Sequence, residues 1–230
     1  MPKKLPKTDV IIVGLGAAGG VAALPLTKAG LKVIGIEAGG WLSPRDFAPD
    51  ELRNGARNWP QSVQKAASEA PTVRANSNQK AVQGGHPMMN AVGGTTMHYW
   101  AQSWRLNPWD FKVVSATRDR YGADRIPTGS TVEDWPFGYD ELEPYYEKVE
   151  FAVGISGQAG NVKGKINAAG NVFEGERQSE YPMRPLRASP FTDLMTNAAQ
   201  RLDWSPFQGP AAITSAVSYT HLTLPTKRIV

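Results

Sequence analysis

The chain has 230 residues, 41% of them apolar and seven of them Trp, enough for one sizeable core or one and a half domains. Its net charge of +4 comes without a basic stripe interleaved with aromatics, which argues against nucleic acid. Cysteine is absent, which excludes disulfides and thiolate metal sites, and no apolar run reaches the ~18 residues that span a bilayer.

Lys3, Lys4 and Lys7 precede an apolar stretch and superficially resemble the start of a signal peptide. That apolar stretch carries a nucleotide fingerprint, so the basic residues read as a lead-in to the first strand, and a cytoplasmic protein is the default expectation. Val10 to Val13 are four apolar β-formers and predict a strand buried on both faces. Gly14, Gly16 and Gly19 follow in G-x-G-x-x-G spacing. An Ala/Leu-rich helix then ends at Lys28-Ala29-Gly30, and a second strand from Leu31 to Ile36 ends on Glu37.

Each glycine has a physical reason. Gly14 permits the tight turn, Gly16 lets a pyrophosphate approach the backbone, and Gly19 lets the helix pack closely on the sheet. The free N–H groups near Ala17 and Ala18 then face the phosphates. Glu37, 18 residues after Gly19, stands where an acid accepts hydrogen bonds from an adenosine ribose and disfavours the 2′-phosphate of NADP. Pro25 removes one N–H inside the predicted helix and is expected to bend or break it.

Residues 39–81 are polar and interrupted by Pro44, Pro49, Pro60 and Pro71, and they read as a long excursion with a short helical piece from Asp50 to Arg57. Val92-Gly93-Gly94-Thr95-Thr96 offers bare backbone N–H groups and two hydroxyls, suited to a second contact with a phosphate or a flavin ring. His98 follows among Tyr99, Trp100 and Trp104; by residue type alone it reads as a packed histidine more readily than a ligand.

Asp140 to Glu143 suggest a helix start with a capping-box Glu. Leu142, Tyr145, Tyr146, Val149 and Val153 recur at helical spacing as a core stripe, and Gly154 stops the helix. Residues 156–175 read as loop or hairpin. Ser189-Pro190 opens a last helix with Phe191, Leu194, Met195, Ala198 and Leu202 on one face. Val217 to Thr226, VSYTHLTLPT, resemble a translated sequencing-library adapter, so 217–230 are left out of fold reasoning as a non-native tail.

Four segments together, VIIVGLGAAGG, IEAGG, AVGGTTMHYWAQSWRLNPWDF and DWPFGYDELEPYYEKVEFAVGISG, resemble the N-terminal part of glucose–methanol–choline (GMC) oxidoreductases. The nearest branch is that of the gluconate 2-dehydrogenase and fructose dehydrogenase flavoproteins. The resemblance implies an α/β fold: a Rossmann-like, glutathione-reductase-like FAD-binding domain with the beginning of an interleaved α+β substrate domain, truncated. Residues 1–110 would form the first part of the FAD domain and 111–216 its further elements and the start of the substrate domain.

It implies FAD as cofactor. Gly14, Gly16, Ala17, Ala18, Gly19, Glu37 and Ala38 would lie on the ADP half, and Val92, Gly93, Gly94 and Thr95 on the flavin side. His98 matches a position that in some relatives bonds covalently to the flavin. Asn90 departs from the Arg or Lys, and Tyr99 from the Trp or Asn, that many members carry.

The implied reaction moves a hydride from the CH–OH carbon of a sugar, polyol or aldonic acid to flavin N5, with a histidine near the family's C-terminus as base. None of His86, His98 and His221 matches that base, so no catalytic residue is assigned and the fragment is expected to be inactive. A cytochrome or small-subunit partner, and periplasmic export on such a partner, fit the same branch. Two other readings stay open: an NAD-dependent dehydrogenase and a non-catalytic nucleotide-binding module.

Overall fold

The computed structural model describes residues 7–43, 72–73, 76–80, 82–83, 90–97, 99 and 101–215. The expected helical piece at 50–57, all three histidines and the adapter-like tail lie outside the described residues. Contacts divide the chain into two compact units, residues 1–100 and 101–230.

The first unit is built on a parallel βαβ motif. β1 (Val10–Val13) pairs with β2 (Val33–Ile36) in parallel register, Val10 opposite Val33 and Val13 opposite Ile36. α1 (Ala17–Lys28) connects them. Its C-terminus follows the sequence closely. Gly30 takes φ +81°, its N–H donates to Thr27 O at 3.0 Å, and the Leu31 N–H reaches Leu26 O at 3.2 Å, a Schellman closure that suits glycine. Pro25 does not break the helix as expected; the helix runs through it, and Pro25 O accepts the Ala29 N–H at 3.0 Å.

β1 corrects a second expectation. Instead of being buried on both faces, it leaves Ile11 58% and Val13 82% exposed. The strand alternates, with Val10 and Ile12 half-buried, and among the described residues β1 and β2 pair only with each other. A separate antiparallel pair joins β3 (Thr72–Val73) to β4 (Val82–Gln83).

The second unit begins with an extended segment, 101–107, then a 3₁₀ turn Pro108–Phe111 and α2 (Val113–Tyr121). Asp134 fixes the start of α2, accepting from Val114 N at 2.8 Å and from the Ser115 hydroxyl at 2.5 Å. Phe137 packs between Phe111 and Trp135, with ring centroids 6.0 and 5.4 Å away.

α3 (Tyr139–Val153) starts at Gly138, whose N–H donates to the Glu141 carboxylate at 3.2 Å, and stops at Gly154 in the left-handed region. Its packing keeps only part of the expected stripe: Leu142 and Tyr146 are half-buried, with Tyr146 stacked on Tyr139 at 6.1 Å. Tyr139, Glu143 and Glu150 are buried, whereas Tyr145, Val149 and Val153 are 61%, 40% and 49% exposed. The buried face is ionic because Arg105 and Arg177 lie against it. Arg105 donates to Glu150 through Nε and Nη2, both at 2.8 Å, and through Nη1 to Glu143 and the Tyr139 hydroxyl, both at 3.0 Å.

Beyond α3, Ser156 exchanges backbone hydrogen bonds with Ala211 at 2.8 and 2.9 Å, and Gly157 N–H donates to Met183 O at 3.0 Å. The expected hairpin is present as β5 (Asn161–Val162) and β6 (Lys165–Ile166), turning through Lys163 and Gly164 at φ +52° and +76°. Ile155, Ala159 and Tyr181 form a small apolar cluster beneath it. α4 (Pro190–Gln200) opens as expected at Ser189, which accepts the Thr192 N–H at 3.1 Å, but its apolar face is exposed, with Phe191 70% and Leu194 64% accessible.

Candidate functional site

In the first unit the glycine spacing is realised geometrically. Gly14 sits at φ +88°, and its N–H donates to Ile36 O at 2.7 Å, closing β1 onto β2 at the turn. A Cβ on Gly19 would lie 2.1 Å from Gly14 O and 3.2 Å from Ile12 Cγ2, so only glycine lets α1 start this close to β1. A Cβ on Gly16 would meet nothing within 4 Å. The space in front of Gly16 is therefore open, at a helix N-terminus whose first N–H groups have no intrahelical acceptor. No acidic side chain occupies that first turn, and Ala17 and Ala18 are exposed. This is a cradle of the kind a pyrophosphate fills, so the residues present fit the dinucleotide that the sequence implies.

Glu37 lies at the exit of β2, half-buried. Its Oε2 accepts the Leu15 N–H at 2.7 Å, and its Oε1 accepts those of Ala38 and Gly39 at 2.9 and 3.1 Å. These bonds, that of Leu15 foremost, hold its carboxyl below the usual glutamate value, so it is anionic at neutral pH. A carboxylate offers about four acceptor positions, and three are used here. The remaining position on Oε2 is compatible with one ribose hydroxyl. Glu37 thus also ties the glycine turn to the end of β2, a role that its distance along the chain did not reveal.

The second glycine-rich stretch docks on the first. Gly40 and Ala91 form a parallel bridge, and the Val92 N–H donates to Gly40 O at 3.0 Å. The Gly93 N–H donates to Leu15 O at 2.7 Å, and a Cβ on Gly94 would lie 3.1 Å from Gly16 Cα. A Cβ on Gly39 would fall 1.9 Å from Asn90 O. Three segments far apart in sequence, 14–19, 37–40 and 90–94, are thereby brought together around the start of α1. Gly94 opens a 3₁₀ turn to Met97, with the Thr96 hydroxyl on Gly93 O and Thr95 exposed. His98 lies outside the described residues.

The sequence reading missed the ionic cluster of the second unit. Glu150 Oε2 accepts from Arg177 Nη2 at 2.6 Å as well as from Arg105, and Glu174 Oε2 stands 3.6 Å from Arg177 Nη1. Burial alone would lower the Arg105 guanidinium, but the hydrogen bonds and charge of Glu150, helped by Tyr139, raise it above its ordinary value. Tyr181 is pushed up to about 12 by burial, against the opposing charge of Arg177, which lies 3.7 Å over its ring. The one signal available in sequence was the seven-residue spacing of Glu143 and Glu150, which puts two carboxylates on one helix face.

No family model matches the chain. Among curated proteins, the gluconate 2-dehydrogenase flavoprotein of Pantoea cypripedii is 31% identical over 233 residues, 92% of this chain and 36% of that protein. The 2-methyl-1,2-propanediol dehydrogenase of Mycolicibacterium austroafricanum is 34% identical over 70% of this chain and 27% of its own length. The fructose dehydrogenase large subunit of Gluconobacter japonicus is 30% identical over 94% and 38%. The chain thus spans about a third of the length of these relatives. The solved structure of pyridoxine 4-oxidase from Mesorbium loti aligns with 85% of this chain and 32% of that chain at 21% identity and a TM-score of 0.43, too low to add weight.

The βαβ unit with its docked second glycine stretch and these relatives define the class, a dinucleotide-binding α/β oxidoreductase fold. The chain belongs to the GMC oxidoreductase family.

Proposed function

We propose that this chain supplies the FAD-binding part of an oxidoreductase acting on the CH–OH group of a sugar, polyol or aldonic acid. The observation that carries the reading is the meeting of the two glycine-rich segments, Gly93 on Leu15 and Gly94 on Gly16, beside an open helix N-terminus. Gly14, Gly16, Ala17, Ala18 and Gly19 would hold the pyrophosphate, and Glu37 with Ala38 the adenosine ribose. Val92, Gly93, Gly94 and Thr95 would border the flavin. When bound, FAD would supply the hydride acceptor for the alcohol carbon. The residues of this chain bind and orient it; the base is not assigned among them.

His98, four residues beyond Gly94, is proposed as a covalent anchor for the flavin. Its place in Gly93-Gly94-Thr95-Thr96-Met97-His98 supports this. Because two relatives carry the words flavoprotein and large subunit in their names, a second subunit that takes electrons onward is part of the same proposal. Among the described residues no helix is long and apolar enough to cross a membrane.

The test is anaerobic titration, with gluconate, fructose and a short diol, of the enzyme that joins this chain to the remainder its relatives carry, followed by its flavin absorbance. Bleaching by one of them is expected. A flavin-bearing protein that no alcohol bleaches, with the remainder of the enzyme present, would reduce the reading to a binding module. His98→Ala is expected to release flavin into acid supernatant; retention on the polypeptide in that variant would sink the covalent role.

A further inference from the structure

The charge count of the buried cluster does not balance. Three carboxylates, Glu143, Glu150 and Glu174, face two guanidiniums, Arg105 and Arg177, and all five side chains are at most 7% exposed. Fully ionised, the cluster would hold one surplus negative charge away from water, a costly arrangement.

The hydrogen bonds single out the member that yields. Glu150 accepts three guanidinium N–H bonds. Glu143 accepts Arg105 Nη1 at 3.0 Å and the Gln178 N–H at 3.2 Å. Glu174 has only backbone donors, Gly160 N–H and Asn161 N–H, both on Oε1. Its Oε2 stays 3.6 Å from Arg177 Nη1, which has no hydrogen-bond acceptor.

A cavity of about 10 Å³, the room one water needs, lies beside Glu174, lined also by Gln158, Asn171 and Tyr181. It has room for one water beside the Glu174 side chain.

We propose that Glu174 is a buried proton-binding site, neutral in the folded unit at mildly acidic pH, and that its ionisation as pH rises weakens the clamp between α3 and the 156–184 segment. Charged and titratable groups reach it from each packed element, and Glu180 accepts the neighbouring Ala159 N–H at 3.1 Å. Arg105 comes from the 101–107 segment, and Tyr139, Glu143 and Glu150 from α3. Arg177 and Tyr181 come from its own segment. Burial, opposed by the Gly160 N–H and Arg177, raises the Glu174 carboxyl above its ordinary value, in keeping with the geometry.

The test is a pH titration of the Gly160 and Asn161 amide resonances in the intact protein, because both N–H groups report on the Glu174 carboxyl directly. Both are expected to move together with a midpoint above the ordinary glutamate value of 4.5, and to stop moving in Glu174→Gln. The same titration persisting in Glu174→Gln would overturn the site. If that variant does not fold, the wild-type curve decides, since a midpoint at or below 4.5 contradicts the proposal. Urea midpoints should fall from pH 4.5 upward through the measured midpoint, since the folded protein holds the proton that the unfolded chain has released.

Discussion

The backbone N–H of Gly93 donates to the carbonyl of Leu15 at 2.7 Å, fastening the second glycine-rich segment onto the first, 78 residues earlier in the chain. This single bond, with Gly94 pressed against Gly16, turns two separate motifs into one cradle. It shows what glycine does on each side: at Gly94 a Cβ would crowd Gly16 Cα at 3.1 Å, while the space in front of Gly16 stays open for a ligand.

Gly94→Ala tests that contact. Gly94 takes φ +55°, which costs a non-glycine residue roughly 1–2 kcal/mol, and the added Cβ would press on Gly16 Cα at 3.1 Å. The expected outcome is a flavin-to-protein ratio lowered about tenfold in subsaturating FAD, with a lower Tm. Gly16→Ala has room for its Cβ in the absence of ligand, so it should keep the apo Tm and lose affinity only. Absorbance and calorimetry separate the two cases.

Glu37 gives a pH signature. Its carboxyl is held low by the Leu15, Gly39 and Ala38 N–H groups, so its contribution to stability is present above the unfolded-state value of 4.5 and is lost as pH falls through the lower folded value. Thermal melts between pH 3 and pH 6, chosen as roughly a unit and a half either side of that value, should fall on the acid side. Glu37→Gln should flatten the dependence. An unchanged acid slope in the variant would mean that the tie to Leu15 contributes nothing.

Arg105→Met removes the donor that Glu143, Glu150 and Tyr139 share. Glu143 would then have no guanidinium and Glu150 only Arg177, and breaking such a pair costs about 3–5 kcal/mol. Urea unfolding should register the loss. Arg105→Lys should recover only part of it, because one ammonium cannot make the paired Nε and Nη2 bonds to Glu150.

Ser189→Ala removes the side chain that accepts the Thr192 N–H at 3.1 Å at the start of α4. The expected cost is about 1 kcal/mol, with hydrogen exchange faster in the first turn of α4 and unchanged in α3.

The βαβ unit was legible in the sequence because its signals are local: an apolar run, glycine spacing, a Gly30 stop and an acid at the strand end. Family resemblance assigned 14–19 and 92–95 to the two halves of one FAD, but their direct contact was not legible, since nothing within either segment specifies its partner. α2 escaped notice because Val113–Tyr121 lacks an apolar period and carries Arg118, Asp119 and Arg120 in its last turn. The face of α3 was read only in part, Leu142 and Tyr146 being half-buried but Tyr145, Val149 and Val153 exposed, for a different reason. Spacing rules assign apolar residues to the core, but here the counter-charges come from Arg105 and Arg177, outside the helix, and they make the carboxylate face the buried one. The apolar faces of β1 and α4 were recognised as apolar, while their exposure depends on what lies against them in space.

The most direct measurement is the visible spectrum of the purified protein, followed by identification of the cofactor released or retained in acid. A yellow protein carrying about one FAD per chain, with far less in Gly94→Ala, is the expected result. A colourless protein that takes up a nicotinamide dinucleotide instead, equally well in wild type and Gly94→Ala, would contradict it.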